Sequence, residues 1–337
     1  MTKIIRTICV FGHSAGEKEI SLLEQASEAL TRAGFTVQTK RICLSQYHSG
    51  PDDPALSAKG VLLGLGSVSP TDYPGIEKDF LASSNKFINL DLTSEEIGTT
   101  HADILFRIIA ARPESTFRFT YGFNLPPGSP YFPSAKFSQP GFSVGLQPTD
   151  LSGNCATLPE WLDRMRAAWA EIDRICENIP GYLGIDSSVA PLYEGVGSLV
   201  NFISRLGYDF SHSVTTDIYT QITKFIREQN PRPVGLCGLM FPCLEDFELA
   251  AEYEKGNFPV ERNIFLSLHS GLGIDVYPIG TDEQPERLVE ILRLLQTLSG
   301  KYQKPLSARF ISDGQAKIDD RTDFHNPYLK DVVIRKL

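Results

Sequence analysis

The sequence predicts an α/β fold, a mostly parallel sheet of about ten strands enclosed by helices. Three observations predict it. Short apolar runs alternate with segments of helical periodicity along most of the chain. The first alternation reads strand, helix, strand, a βαβ unit that calls for a parallel pair. The chain has 337 residues, 42% hydrophobic and 22% charged. That is an ordinary globular composition, at a length that closed α/β barrels commonly reach as one unit.

A strand is predicted at about 4–11, Ile-Ile-Arg-Thr-Ile-Cys-Val-Phe. Ser14 and Glu17 have capping-box spacing, and Leu22, Leu23, Ala26, Leu30 and Ala33 follow at helical intervals. Gly34 suits the left-handed position after that helix, and a second strand follows at about 35–43. The stretch 45–75 is rich in Pro, Gly and Ser, which blurs element boundaries. A helix near 74–84 leads to a strand at 86–91, and Thr93 with Glu96 forms a second capping box before a helix to about 111. Strands are expected near 116–123 and 141–147. Between them, Pro126-Pro127-Gly128-Ser129-Pro130-Tyr131-Phe132-Pro133 excludes helix and central strand, leaving a rigid connector, or a lid or wall of a site.

Thr157 and Glu160 cap a long helix at 158–179 whose stripe, Trp161, Met165, Trp169, Ile172, Cys176 and Ile179, reads as core. Beyond it strands fall near 182–188, 234–240, 273–279 and 306–311. Helices fall near 197–206, 215–228, 244–255, 260–269 and 285–299. Val332-Val333-Ile334 is a candidate closing strand. The plan is one domain, residues 1–337, with halves of about 1–150 and 180–337 joined by the helix at 158–179.

The formal net charge of -9 argues against a nucleic acid or an anionic membrane as partner. No apolar run reaches the roughly 18 residues of a spanning helix, and no signal peptide is legible at the N-terminus. The six cysteines are scattered without a CxxC pair and read as buried thiols of a reducing compartment. The cytoplasm is therefore the expected location, with a small molecule and further copies of the chain as expected partners.

In parallel α/β folds, ligands bind beyond the carboxyl ends of strands. Four segments of the second half carry polar residues there. Asp186 ends Gly184-Ile185-Asp186, and the turn Glu194-Gly195-Val196-Gly197-Ser198 opens a helix, so Gly197 and Ser198 are an anion cradle or a tight turn. His212 precedes Thr215 and Thr216 at a helix start; Thr215 reads as a cap, and His212 as a general acid or base candidate. Gly235 and Gly238 lie on an apolar run that ends at Glu245 and Asp246, acids that either stabilise a helix start or act in cation binding or proton transfer. Asp275 sits inside the apolar run Gly273-Ile274-Asp275-Val276-Tyr277, where a charge must be paired, coordinated or neutralised. His13, at the end of the first strand, is a further candidate. Asp186, Glu245, Asp246 and Asp275 form the expected centre, and their oxygen ligands suit a divalent cation such as magnesium, calcium or manganese.

These segments resemble an uncharacterised family, domain of unknown function 711, whose members are often labelled pyruvate formate-lyase-like. Gly184-Ile185-Asp186 through Ala190-Pro191 is similar to its Gly-Ile/Val-Asp-x-Ser-x-Ala-Pro stretch. Thr215-Thr216 falls at its His-Gly-Thr-Thr, with His212 one residue further off. Gly238, Pro242, Glu245 and Asp246 match its glycine-rich block, and Asp275 matches its Gly-Leu-Asp. The resemblance implies a ten-stranded α/β barrel like that of glycyl-radical enzymes, built from two five-stranded halves. Radical chemistry is not implied, because Gly314, the only glycine after residue 300, lacks the Arg-Val-x-Gly-Tyr setting. The expectation is an enzyme acting on a small polar or anionic molecule at a carboxylate-rich mouth, or a non-catalytic ligand-binding or regulatory protein.

Overall fold

The computed structural model describes residues 3–47 and 54–337. Strand β1 (Lys3–Gly12) leads into α1 (Glu17–Arg32), which returns the chain to β2 (Phe35–Val37) and β3 (Lys40–Leu44). Both pieces pair parallel with β1, so the expected βαβ start is present. Gly34 takes the left-handed φ of +89° that ends α1 without a Cβ penalty. The Ser14–Glu17 capping box does not form. β1 runs to Gly12 and a turn follows, so Glu17 is already helical and Gly16 is the N-cap; Ser14 donates to the Glu19 carboxylate at 3.3 Å instead.

The blurred stretch contains α2 (Pro54–Ala58) and a strand that its glycines disguise, β4 (Val61–Val68). Residues 48–53 of that stretch lie outside the described residues. Then come α3 (Tyr73–Ala82), β5 (Lys86–Asp91), α4 (Thr99–Ala111), β6 (Phe119–Phe123) and β7 (Gly141–Leu146). The Thr93–Glu96 box is also absent. Thr93 Oγ1 is taken by Asp91 at 2.6 Å and by the Asn124 amide at 2.8 Å, and α4 starts only after Gly98. The Thr157–Glu160 box does form and opens α5 (Leu158–Cys176), whose Trp161, Met165, Trp169, Ile172 and Cys176 are fully buried.

The second half holds β8 (Tyr182–Asp186), α6 (Leu199–Arg205), α7 (Phe210–Ser213), α8 (Ile218–Glu228), α9 (Phe247–Glu254) and α10 (Val260–His269). It ends with β9 (Gly273–Pro278), α11 (Pro285–Tyr302) and β10 (Leu306–Ile311). The strands form one ten-stranded sheet in the order β8-β7-β1-β3-β4-β5-β6-β10-β9, with β2 beside β1. Pairing is antiparallel at β1–β7 and β6–β10 and parallel elsewhere. One parallel block, β1-β3-β4-β5-β6, thus faces a second of opposite direction, and β7 belongs by direction to the second.

The protein is a mixed α/β structure with helices around this sheet, and among the described residues no ladder closes it. The strand expected at 234–240 is not one. Residues 233–242 make single parallel bridges to both free edges, Ile185–Pro233 and Val189–Leu239 on one side, Leu239–Gly271 and Pro242–Asp275 on the other. Positive φ at Gly235 (+76°) and Cys237 (+45°), with Pro242 lacking an N–H, interrupts the extended backbone a ladder needs. The strand expected at 332–334 does not join the sheet either. Val333 bridges Arg321 within the C-terminal segment, and backbone amides there are taken by side chains, as Val332 N–H is by Thr322 Oγ1.

The Pro-rich segment lines the inner face of the sheet. Pro130 O accepts from Thr7 and Arg41, Pro133 O and Ala135 O from Asn89, and Tyr131 Oη donates to Leu146 O at 3.0 Å. Strand glycines make room for it. A Cβ on Gly64 would lie 2.7 Å from Phe132, and one on Gly145 2.8 Å from Tyr131. Among the described residues, no helix is long and apolar enough to cross a membrane, and all six cysteines are free thiols.

Candidate functional site

Because the two blocks run in opposite directions, amino ends of one meet carboxyl ends of the other at the same mouth. A cavity of about 510 Å³ opens there. Its wall draws on β1, β3 to β6, β9 and β10, its floor is Tyr131-Phe132-Pro133-Ser134, and Asn326 and Tyr328 of the C-terminal segment form part of the rim.

Glu245 and Asp275 face this cavity together with Arg6, Arg41 and Arg309. Arg309 lies 3.6 Å from Glu245 and 3.4 Å from Asp275, and Arg6 lies 3.6 Å from the other Glu245 oxygen. Arg309 is fixed from behind by Phe117 O, 2.8 Å from its Nη2, with its guanidinium 4.5 Å over the Phe117 ring. The turn that carries Glu245 is pinned to β9 by Cys243 N–H to Asp275 O at 3.0 Å and Leu244 N–H to Val276 O at 3.2 Å. The β9–β10 ladder shifts register between Ala308 and Phe310, at Arg309, and Val276 has φ +47°. A β-branched residue is strained there. A bulge and a strained residue flank the two groups that meet, which is how a regular strand re-aims side chains.

Burial pushes the Asp275 carboxyl up, Arg309 pulls it back and Glu245 pushes it up again, to about 6. Arg41 is buried beside Arg6 and Arg309, and burial first, then their charges, push it down to about 9, still a cation at neutral pH.

The other expected acids do not reach the cavity wall. Asp186 is fully buried and accepts from Ser129 Oγ (2.7 Å), Leu236 N–H (2.9 Å), Cys237 N–H (3.0 Å), Ser188 N–H (3.0 Å) and Ser188 Oγ (2.6 Å). It ties β8, the Pro-rich segment and the 235–238 turn together. Gly235 is part of that knot, since a Cβ there would lie 2.4 Å from the Asp186 carboxylate. Asp246 is the N-cap of α9, accepting from Glu248 and Leu249 N–H, and also holds Leu199 N–H at 3.0 Å. Burial raises its carboxyl to about 6 against the pull of Ser198 and those amides.

The ligand-binding candidates disperse as well. Ser198 caps α6 through Asn201 N–H, and Gly197 is required by contact, a Cβ lying 2.1 Å from Leu192 O. Gly238 packs on Leu272. Thr215 and Thr216 donate to His212 O and Ser213 O, and Asp217 rather than Thr215 is the N-cap of α8. His212 is exposed on α7. His13 is exposed at the carboxyl end of β1, the end opposite the Arg6 mouth, with Nδ1 2.8 Å from Ser45 Oγ. Among the described residues, no three or more His, Cys, Asp or Glu side chains gather as a metal-ligand set.

Arg6, Arg41 and Arg309 also line the cavity and are not among the residues that the sequence pattern marks. The rule that singled out Asp275 applies equally to them, since Arg309 interrupts Leu-Ser-Ala-Arg-Phe-Ile and Arg41 sits in Lys-Arg-Ile-Cys-Leu. No curated protein matches the sequence. The sequence profile of the family described as Uncharacterised ACR (DUF711) matches residues 81–325, most of the chain, Glu245, Asp275 and Arg309 included, and the chain belongs to that family.

Proposed function

We propose that this chain is an enzyme that takes a small polar or anionic molecule into the interior cavity and moves a proton with the Asp275–Glu245 pair. One observation carries the reading. A half-buried carboxyl with a pKa raised to about 6 faces a cavity of about 510 Å³, beside a second carboxylate and flanking guanidiniums. A carboxyl of that pKa exchanges protons near neutral pH, and its ionised form acts as general base. Arg309 and Arg6 hold the charge of the pair and offer N–H donors to a developing oxyanion. The barrel reading of the fold fits this use. Residues 233–242, bridged to both sheet edges, serve as the stave that shuts the cavity on one side.

The test is proton exchange. The protein is incubated in D2O with a mixture of small polar metabolites, and deuterium incorporation and new resonances are followed by NMR for wild type and Asp275→Asn. Wild type should exchange or convert at least one component, with a rate rising through pH of about 6, and Asp275→Asn should lose at least ~100-fold. An unchanged rate in Asp275→Asn overturns the assignment. A second reading, a non-catalytic binding protein, is favoured by the fact that both carboxylates already have guanidinium partners. It predicts line broadening of a ligand without exchange or turnover in wild type.

A further inference from the structure

We propose that the ligand of this cavity carries a single carboxylate, seated on Arg41; the inference rests on the cavity being the ligand site, as above. The partners of the wall arginines carry it. Arg112 has Glu114, Leu81 O and Ser83 O; Arg118 has Lys86 O and Ser115 Oγ; Arg309 has Asp275, Glu245 and Phe117 O; Arg6 has Glu245 and Gln38. Arg41 stands apart. It is 8% exposed, makes one hydrogen bond, 3.2 Å to Pro130 O, and its Nε is buried with no partner among the described residues. No carboxylate forms an ion pair with it among the described residues, and Glu245 acts on it only at a distance; a buried guanidinium so placed is costly, and its planar fork matches a carboxylate.

The surroundings define the rest of the ligand. The Phe132 ring lies 4.9 Å from the Arg41 guanidinium carbon and forms an apolar floor, with Leu62 and Phe87 also in the wall. The cavity volume falls within the roughly 300–1,000 Å³ of small-molecule sites, so it holds a body beyond the anionic group. Glu245 and Asp275 share the same space, so a second negative charge on the ligand is opposed. A monocarboxylate fits, and a phosphate dianion fits worse.

Calorimetry on the whole protein at neutral pH, with propionate, benzoate and inorganic phosphate as probes, tests this. Wild type should bind at least one of the two carboxylates, and more tightly than phosphate. Arg41→Met should weaken that binding at least ~10-fold, the loss of one charge-assisted hydrogen bond. Arg41→Lys, which keeps the charge but not the fork, should fall between, and it decides the matter if Arg41→Met does not fold. Failure of both carboxylates to bind wild type, tighter binding of phosphate, or wild-type affinity in the folded arginine variants overturns the proposal. The proton-transfer reading is judged separately, by exchange in Asp275→Asn on any ligand, neutral ones included.

Discussion

Asp186→Asn isolates the knot that holds the inner architecture in place. The carboxylate accepts five hydrogen bonds, from Ser188 N–H, Ser188 Oγ and Cys237 N–H on Oδ1 and from Ser129 Oγ and Leu236 N–H on Oδ2. Asparagine keeps one oxygen and replaces the other with a donor. In the better orientation the oxygen stays at Oδ1 and the three bonds there survive, weakened by loss of the charge. At the other position Ser129 can rotate to accept, but Leu236 N–H cannot. Two donors then face each other in a fully buried site. At ~1–3 kcal/mol for each unsatisfied buried group, plus the lost charge assistance, the cost comes to roughly 3–5 kcal/mol. Domains of ordinary stability hold about 5–15 kcal/mol, so this is a large fraction. Urea unfolding followed by circular dichroism would read it as a fall in midpoint at unchanged slope. A loss below ~1 kcal/mol would refute the account of Asp186 as the hub joining β8, the Pro-rich segment and the 235–238 turn.

Two further predictions concern the cavity. The Asp275 carboxyl is raised to about 6 by burial and Glu245 against the pull of Arg309, whereas an unfolded aspartate titrates near ~3.9. Stability from this group is therefore fully present below the unfolded value and is lost as pH rises through about 6. Urea midpoints of wild type should decline relative to Asp275→Asn between pH values of about 4 and 7, and a pH-independent difference between the two proteins would contradict the assignment. In Gly64→Ala the new methyl lies 2.7 Å from Phe132 Cζ and forces the ring into the cavity; the expected cost is ~1–3 kcal/mol, with weakened ligand binding. A variant as stable as wild type with unaltered binding would show that the Pro-rich segment does not depend on that contact.

Local signals were legible where a single segment decides its own structure. Helix α5 was readable from Thr157, Glu160 and its Trp161–Cys176 stripe, because capping and helical periodicity are properties of neighbours in sequence. Strand β4 was not, since Gly64 and Gly66 look like turn residues until Phe132 is seen to need the space of one of them. The boxes at Ser14 and Thr93 had the right spacing but the wrong register, because where β1 ends and what holds Asp91 and Asn124 are decided by the sheet.

The same division runs through the candidate site. The sequence by itself marked Asp186, Glu245, Asp246 and Asp275, since a carboxylate in or beside an apolar run must be paired or hydrogen-bonded whatever the fold. It carried no information on which partner each would meet. Only the tertiary structure separated them, giving Asp186 and Asp246 to backbone amides and hydroxyls, and turning Glu245 and Asp275 toward Arg6, Arg41 and Arg309 across a cavity. The physical reason is the antiparallel join of the two parallel blocks. It brings residues some 200 to 300 positions apart to one mouth, a proximity set by chain direction that no local pattern encodes.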